Sequence, residues 1–307
     1  MTAGTLIISA YNMAAAVLRA FGDGKTPLVA MIIAAVCNIL LDLLCVMVFK
    51  LGVLGAAIAT LTAQMVSFLY CVFKIGKIEI INIKKEYFKL DKKMSFEMLK
   101  FGIPLSFQHI IISVGGMIAQ STINLQGSMF VAGYTATNKL YGLMESTALS
   151  LGGAFTTFTS QNFGAKKYDR VKKGFHTSEV LAVASSVIVA LIMLPLGKTL
   201  LSLFIDSNEA GAQGSLEIAH RFYMIMVLFV FSLNLIYSYR CTLQGIGNSF
   251  WSMLSGFCEA VVRVVMAKGM FYMVGKEALF FMEPMAWIGA MLTVIFPCYY
   301  YIRKLLS

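Results

Sequence analysis

LRAFGDGKTPLVAMIIAAVCNILLDLLCVMVFKLGVLGAAIAT, residues 18–60, decides the fold. A charged glycine-containing turn opens it, a long apolar run follows, KLG turns the chain back, and a second apolar run begins. Runs of that length are near the roughly 20 residues a helix needs to cross a bilayer. Asn38 and Asp42 lie inside the first run, four residues apart, so on a helix they stack on one face. An ionisable group in hydrocarbon is expensive, and where one persists it marks an ion or substrate path by default. The stretch therefore reads as the cation-handling part of a secondary transporter.

Composition agrees with a membrane protein. The chain has 307 residues, 59% of them hydrophobic, and only 13% charged, against roughly 25% in soluble proteins. Nine spans are expected at about 1–19, 27–49, 53–73, 101–125, 130–158, 178–204, 218–239, 250–273 and 285–302. The net charge of +10 raises the question of a polyanion partner, but its distribution answers it. Alternating sides collect 18 of the 25 Lys and Arg on one face, Arg240 among them, and five on the other. That is the positive-inside pattern, which makes the basic side and the C-terminus cytoplasmic and excludes a nucleic-acid reading. The expected setting is the plasma (inner) membrane of a bacterium, with the lipid bilayer as a partner.

Catalytic and metal-centre classes find no support. The six cysteines show no CxxC spacing, the three histidines form no pattern, and neither HExxH nor GxSxG occurs. No enzyme activity and no cofactor is expected, beyond Na+ or H+ as a coupling ion.

An internal repeat organises the chain. Shifted by 225 residues, Leu18 meets Leu243, Gly22 meets Gly247, Asp23 meets Asn248, and Asn38 meets Arg263. A period of that size corresponds to a six-span unit, the way many secondary transporters are built. The expected domains are 1–76 as part of a first lobe, 77–100 as a basic linker on the cytoplasmic side, and 101–307 as a complete second lobe. Within the second lobe, Gln108, Glu145, Glu259 and Arg263 are the polar residues set in apolar runs. Glu259 and Arg263 are four apart, which suits a structural ion pair as well as a place on a cavity wall. Glu145 suits attraction of cationic substrates, or pairing with Lys139 or Arg263.

LRAFGDGKTP, NILLD leading into LGVLGAAIAT, FGIPLSFQ, SQNFGAKKYDR and LQGIGNSF, in that order, resemble the multidrug and toxic compound extrusion (MATE) family. The resemblance covers essentially the whole chain. It implies an all-α membrane protein of two helical lobes around a central cavity, exporting organic cations in exchange for Na+ or H+. By the twelve-helix pattern of the family, the first lobe here is its last three helices. The expected state is a monomer, unless another chain supplies the missing helices. The same comparison leaves an inactive truncated fragment open.

The family's first-lobe cation site carries over to Asn12, Asn38, Asp42 and Thr60, with Na+ placed at Asp42 and Asn38. The family's first-helix aspartate has no counterpart. The second-lobe acids used by some members are absent too, since those regions read FGIPLSFQHIII and FSLNLIYSYR. A lipid-linked oligosaccharide flippase of the same superfamily is the alternative; it calls for several cationic residues along the cavity, and Lys139 and Arg263 are the candidates.

Overall fold

The computed structural model describes residues 4–78, 89–205 and 211–305, and every regular element among them is helical. The chain divides into two compact units, Met1–Asp91 and Lys92–Ser307.

The first unit contains α1 (Thr5–Ala20), α2 (Lys25–Asp42) and α3 (Gly52–Ile75). α3 packs against both α1 and α2, which touch each other little. The sequence shows why. Gly55, Ala59, Ala63, Ser67 and Cys71 recur every fourth residue of α3 and are all buried. Such small side chains let helices approach closely in lipid, where no hydrophobic driving force separates helix contacts from lipid contacts. Ser67 ties the pair, its hydroxyl donating to Ala30 O of α2 at 2.9 Å. α2 passes into a π-helical stretch, Leu43–Val48, immediately after Asp42. Single π turns inside helices are rare and are frequent at functional sites.

The second unit runs α4 (Lys92–Asn124), α5 (Ser128–Gly164), α6 (Tyr168–Ser202), α7 (Ala212–Leu228), α8 (Val230–Gly245) and α9 (Ser249–Val264). A π stretch Val265–Met270, two short helices α10 (Phe271–Val274) and α11 (Glu277–Phe280), and α12 (Met282–Lys304) complete it. Among the described residues, six helices are long and apolar enough to cross a membrane, and the bent α7–α8 pair, counted as one span, makes a seventh. α1 is apolar but shorter, and α5 is longer but carries Asn138, Lys139 and Glu145. Leu191, Ile192, Leu292 and Phe296 stay exposed, as lipid-facing side chains do. The core gathers around Leu140, Met144, Tyr223, Met226 and Trp287. Gly115 of α4 lies against α9 so closely that a Cβ would sit 2.9 Å from that of Ala260. Gly115→Val is therefore expected to destabilise the unit by about 1–3 kcal/mol through overpacking, read as a fall in the denaturation midpoint of the purified chain.

The span expected at 218–239 is a bent pair, breaking by 48° between α7 and α8, and two other expectations are corrected. Phe229 adopts φ −100°, ψ 6°, and its carbonyl is held by both the amide (3.0 Å) and the hydroxyl (2.7 Å) of Ser232. No proline or glycine marks the place. Residues 92–100, expected as linker, form the first turns of α4, while 79–88 of that linker lie outside the described residues. The basic loop SQNFGAKKYDRVKKG is almost wholly helical, reduced to a turn at Ala165–Lys167.

The repeat is visible in the backbone. α1 and α8 are both 16 residues long, Thr5–Ala20 and Val230–Gly245, offset by 225 at each end. Gly22 has φ +85° and Gly247 φ +84°, a left-handed conformation that glycine adopts without strain. Gly22 N donates to Arg19 O at 2.9 Å and Gly247 N to Gln244 O at 2.9 Å. Asp23 N donates to Leu18 O at 3.0 Å and Asn248 N to Leu243 O at 2.9 Å. These are the same helix-ending turn made twice.

The copies diverge at the next step. Asp23 accepts from the amides of Lys25 (3.1 Å) and Thr26 (2.9 Å) and from the Thr26 hydroxyl (2.5 Å), capping α2. Asn248 makes no such bond to α9. The Thr26 hydroxyl, and then its amide, hold the Asp23 carboxyl below its ordinary value. The cap is thus fully present above that ordinary value and is lost as pH falls through the lower folded value. Asp23→Ala is expected to cost about 1 kcal/mol at neutral pH, with the difference from the parent vanishing in acid; urea or thermal denaturation at two pH values reads it.

Candidate functional site

In the first unit, α2 carries Asn38 and Asp42 and α3 carries Thr60. All three side chains are partly buried. Asn38 Nδ2 donates to Thr60 Oγ1 at 3.4 Å, and Thr60 Oγ1 donates in turn to Ala56 O at 2.9 Å. One helical turn further along, Asp42 Oδ1 is buried with no hydrogen-bond partner. A buried carboxylate oxygen left unmatched costs more than a neutral group would, so its survival needs a reason. Along α2 and its π extension, Asn38 lies near mid-span and Asp42 about 9 Å from the Val48 end at 1.5 Å per residue. Asn12 is exposed on α1 and, among the described residues, hydrogen-bonds to none of the other three. The structure thus brings together Asn38 and Thr60, leaves Asp42 a turn away, and keeps Asn12 apart.

The oxygen atoms are of the kind a hard cation takes: a carboxylate, an amide and a hydroxyl. Asn38 directs its NH2 to Thr60, which leaves its carbonyl oxygen free to accept or coordinate. No cluster of three or more His, Cys, Asp or Glu suited to a metal ion occurs among the described residues.

The second unit holds a different arrangement. Arg240 (α8), Glu259 and Arg263 (α9) and Glu283 (α12) are all buried. Arg240 Nη2 donates to Glu259 Oε2 at 2.8 Å, and Arg263 Nη2 donates to Glu259 Oε1 at 3.0 Å and to Glu283 Oε2 at 2.7 Å. Arg263 Nε reaches both Glu283 oxygens, at 3.1 and 3.2 Å. Arg240 Nε donates to Ser255 Oγ at 3.0 Å, and that hydroxyl donates to Ala290 O at 2.9 Å. The chain Arg240–Glu259–Arg263–Glu283 is neutral in sum and ties α8, α9 and α12. Reading Glu259 and Arg263 as a helix-spaced pair captured half of it.

Two expectations fall here. Arg240 is not a cytoplasmic loop cation but a buried partner of Glu259. Glu145 pairs with neither Lys139 nor Arg263; it accepts from the Tyr237 hydroxyl at 3.1 Å, while Lys139 is exposed. Gln108 is buried where α4 meets α9, its Cγ filling the space left by Gly256, and its Oε1 has no partner. Glu283, Ser255 and Tyr237 escaped sequence reading altogether. The one usable signal was Glu283 inside the apolar FFMEPMAWI.

A multi-pass, all-helical membrane protein with polar residues buried in its spans is what fold and sites define. The chain belongs to the MatE family: the family model matches residues 104–268, more than half of the sequence. It is 31% identical to the probable multidrug resistance protein YpnP of Bacillus subtilis over 215 residues, 69% of this chain and 47% of that protein. With YoeA of the same organism, also described as a probable multidrug resistance protein, it shares 29% over 259 residues, 81% of this chain and 55% of the relative. The chain thus spans about half the length of these relatives. Among solved structures, a MOP-superfamily transporter from Pyrococcus furiosus aligns with a TM-score of 0.90 at 21% identity, covering 99% of this chain and 68% of that one.

Proposed function

We propose that the chain acts in a secondary active transporter that exports small organic cations in exchange for Na+ or H+. The carrying observation is the unmatched, buried Asp42 Oδ1 one turn from the Asn38–Thr60 pair. In this reading Asp42 is the carrier, Asn38 its neighbouring ligand, and Thr60 a support that fixes the Asn38 amide. Asn12 completes the set only from another conformation. Neutralising the carboxylate with a sodium ion or a proton changes the charge of the first unit and shifts the balance between two conformations. Relatives described as multidrug resistance proteins support the substrate class. The basic faces and C-terminus lie on the cytoplasmic side of the plasma membrane.

The flippase alternative loses ground. It asks for several free cations along a cavity, and of its two candidates Arg263 is engaged by Glu259 and Glu283, which leaves Lys139 alone. Nor do Glu259 and Arg263 offer open charge to a substrate. Dye accumulation in cells expressing the chain, with and without an imposed sodium gradient, tests the exporter reading. The expected result is lower accumulation that depends on the sodium or proton gradient; accumulation equal to that of cells lacking the chain contradicts it.

A further inference from the structure

At the start of α6, Arg170, Lys173 and Thr177 follow one another at helical spacing, with Leu181 a turn further. They border a groove of about 460 Å³ between α5 and α6, floored by Phe155, Phe158 and Leu181. No carboxylate lines it. Gly174 makes the floor: a Cβ there would stand 2.2 Å from the Phe158 ring, so only glycine lets that ring lie against α6. Both cations are exposed and make no ion pair among the described residues. Arg170 also sits in the first turn of α6, at the positive end of the helix dipole, where a basic residue is disfavoured and an anion is favoured. Asp169 in the same turn offsets part of that charge.

The height of the groove identifies its occupant. α6 is 35 residues long, about 52 Å at 1.5 Å per residue, against roughly 30 Å of hydrocarbon. Its apolar part begins near Val180 and Leu181, both exposed. Lys173 and Arg170 therefore stand about 10–16 Å before the apolar belt, just outside a headgroup layer of roughly 5–8 Å, and their long side chains are able to reach back toward it. A cation pair above an exposed apolar trough matches one molecule: a phosphate with an acyl chain attached.

We propose that this groove binds an anionic phospholipid, its phosphate between Arg170 and Lys173 and one acyl chain along Phe155, Phe158 and Leu181. The proposal stands independently of the transport reading. The test is native mass spectrometry of the purified full chain in neutral detergent, titrated with phosphatidylglycerol or phosphatidylcholine. Phosphatidylglycerol is expected to bind at least tenfold tighter. The pair Arg170→Gln with Lys173→Gln is expected to lower its affinity about 30-fold, and Leu181→Ser about fivefold. Lys166→Gln with Lys167→Gln, which removes equal charge outside the groove, is expected to change affinity less than threefold. Equal binding of the two lipids, equal loss in both lysine-containing pairs, or full competition by glycerol phosphate lacking acyl chains would each overturn the proposal.

Discussion

Glu259→Ala is expected to lower the stability of the second unit by about 3–5 kcal/mol, the range seen when one member of a buried ion pair is removed. The reason is the position of Glu259 between two arginines. One carboxylate oxygen serves Arg240 and the other Arg263. Arg263 keeps Glu283 after the substitution, but Arg240 keeps only the Ser255 hydroxyl and is otherwise a buried charge without a counter-ion. Glu259→Gln preserves the shape and is expected to lose most of the same energy. Removing both members is milder, because two apolar side chains leave no orphaned charge. Arg240→Met combined with Glu259→Leu is expected to recover at least half of the loss. The chain's two tryptophans, Trp251 and Trp287, both lie in this unit, so their fluorescence during denaturation in detergent reads it directly. A change below about 0.5 kcal/mol for Glu259→Ala, the scale of ordinary surface substitutions, contradicts the network's role.

What was legible in the sequence was local. The helix-ending turn at Gly22 and its copy at Gly247 could be read because glycine placement and a positive φ are fixed within five residues. The small residues Gly55, Ala56, Ala59 and Ala63 are legible in the sequence as a place of close helix approach, and the structure buries all but Ala56 and extends the stripe to Ser67 and Cys71. Asn38 and Asp42 showed themselves as polar residues in an apolar run. Their partner Thr60 came from family resemblance, and its 3.4 Å contact with Asn38 depends on how α3 packs on α2. Arg240 was misplaced because it follows the polar residues of SYR near the end of a span, which looks like an interface. Only its distance to Glu259, nineteen residues on along the chain, shows otherwise. Glu283 is paired across twenty residues, and Glu145 with Tyr237 across ninety-two. No periodicity encodes such pairings. The break at Phe229 was equally silent, since serine capping of a carbonyl leaves no proline or glycine behind. The acidic residues of the basic linker, Glu79 and Glu86, and those that follow the span at 178–204, Asp206 and Glu209, fall outside the described residues.

The divergence of the two units is the functional lesson of the repeat. In the register of the repeat Asn38 corresponds to Arg263. The first unit places a neutral amide and an unmatched carboxylate on its second helix, while the second unit places a guanidinium held by two glutamates. A carboxylate with no resident partner is able to take up and release a cation. A carboxylate locked between arginines is not, because each proton or ion would have to displace a salt bridge in a low-dielectric setting.

Gradient-driven export by Asp42→Asn, measured in proteoliposomes beside the parent chain, tests this most directly. Asparagine has the shape of aspartate but neither ionises nor supplies a charged oxygen, and Asp42 Oδ1 has no hydrogen bond to lose. The variant is expected to keep its unfolding free energy within about 1 kcal/mol of the parent, since no hydrogen bond of Oδ1 is removed. Its coupled export is expected to fall to the level of empty liposomes. Export at the parent's rate, still driven by the sodium or proton gradient, would show that the coupling ion is carried elsewhere.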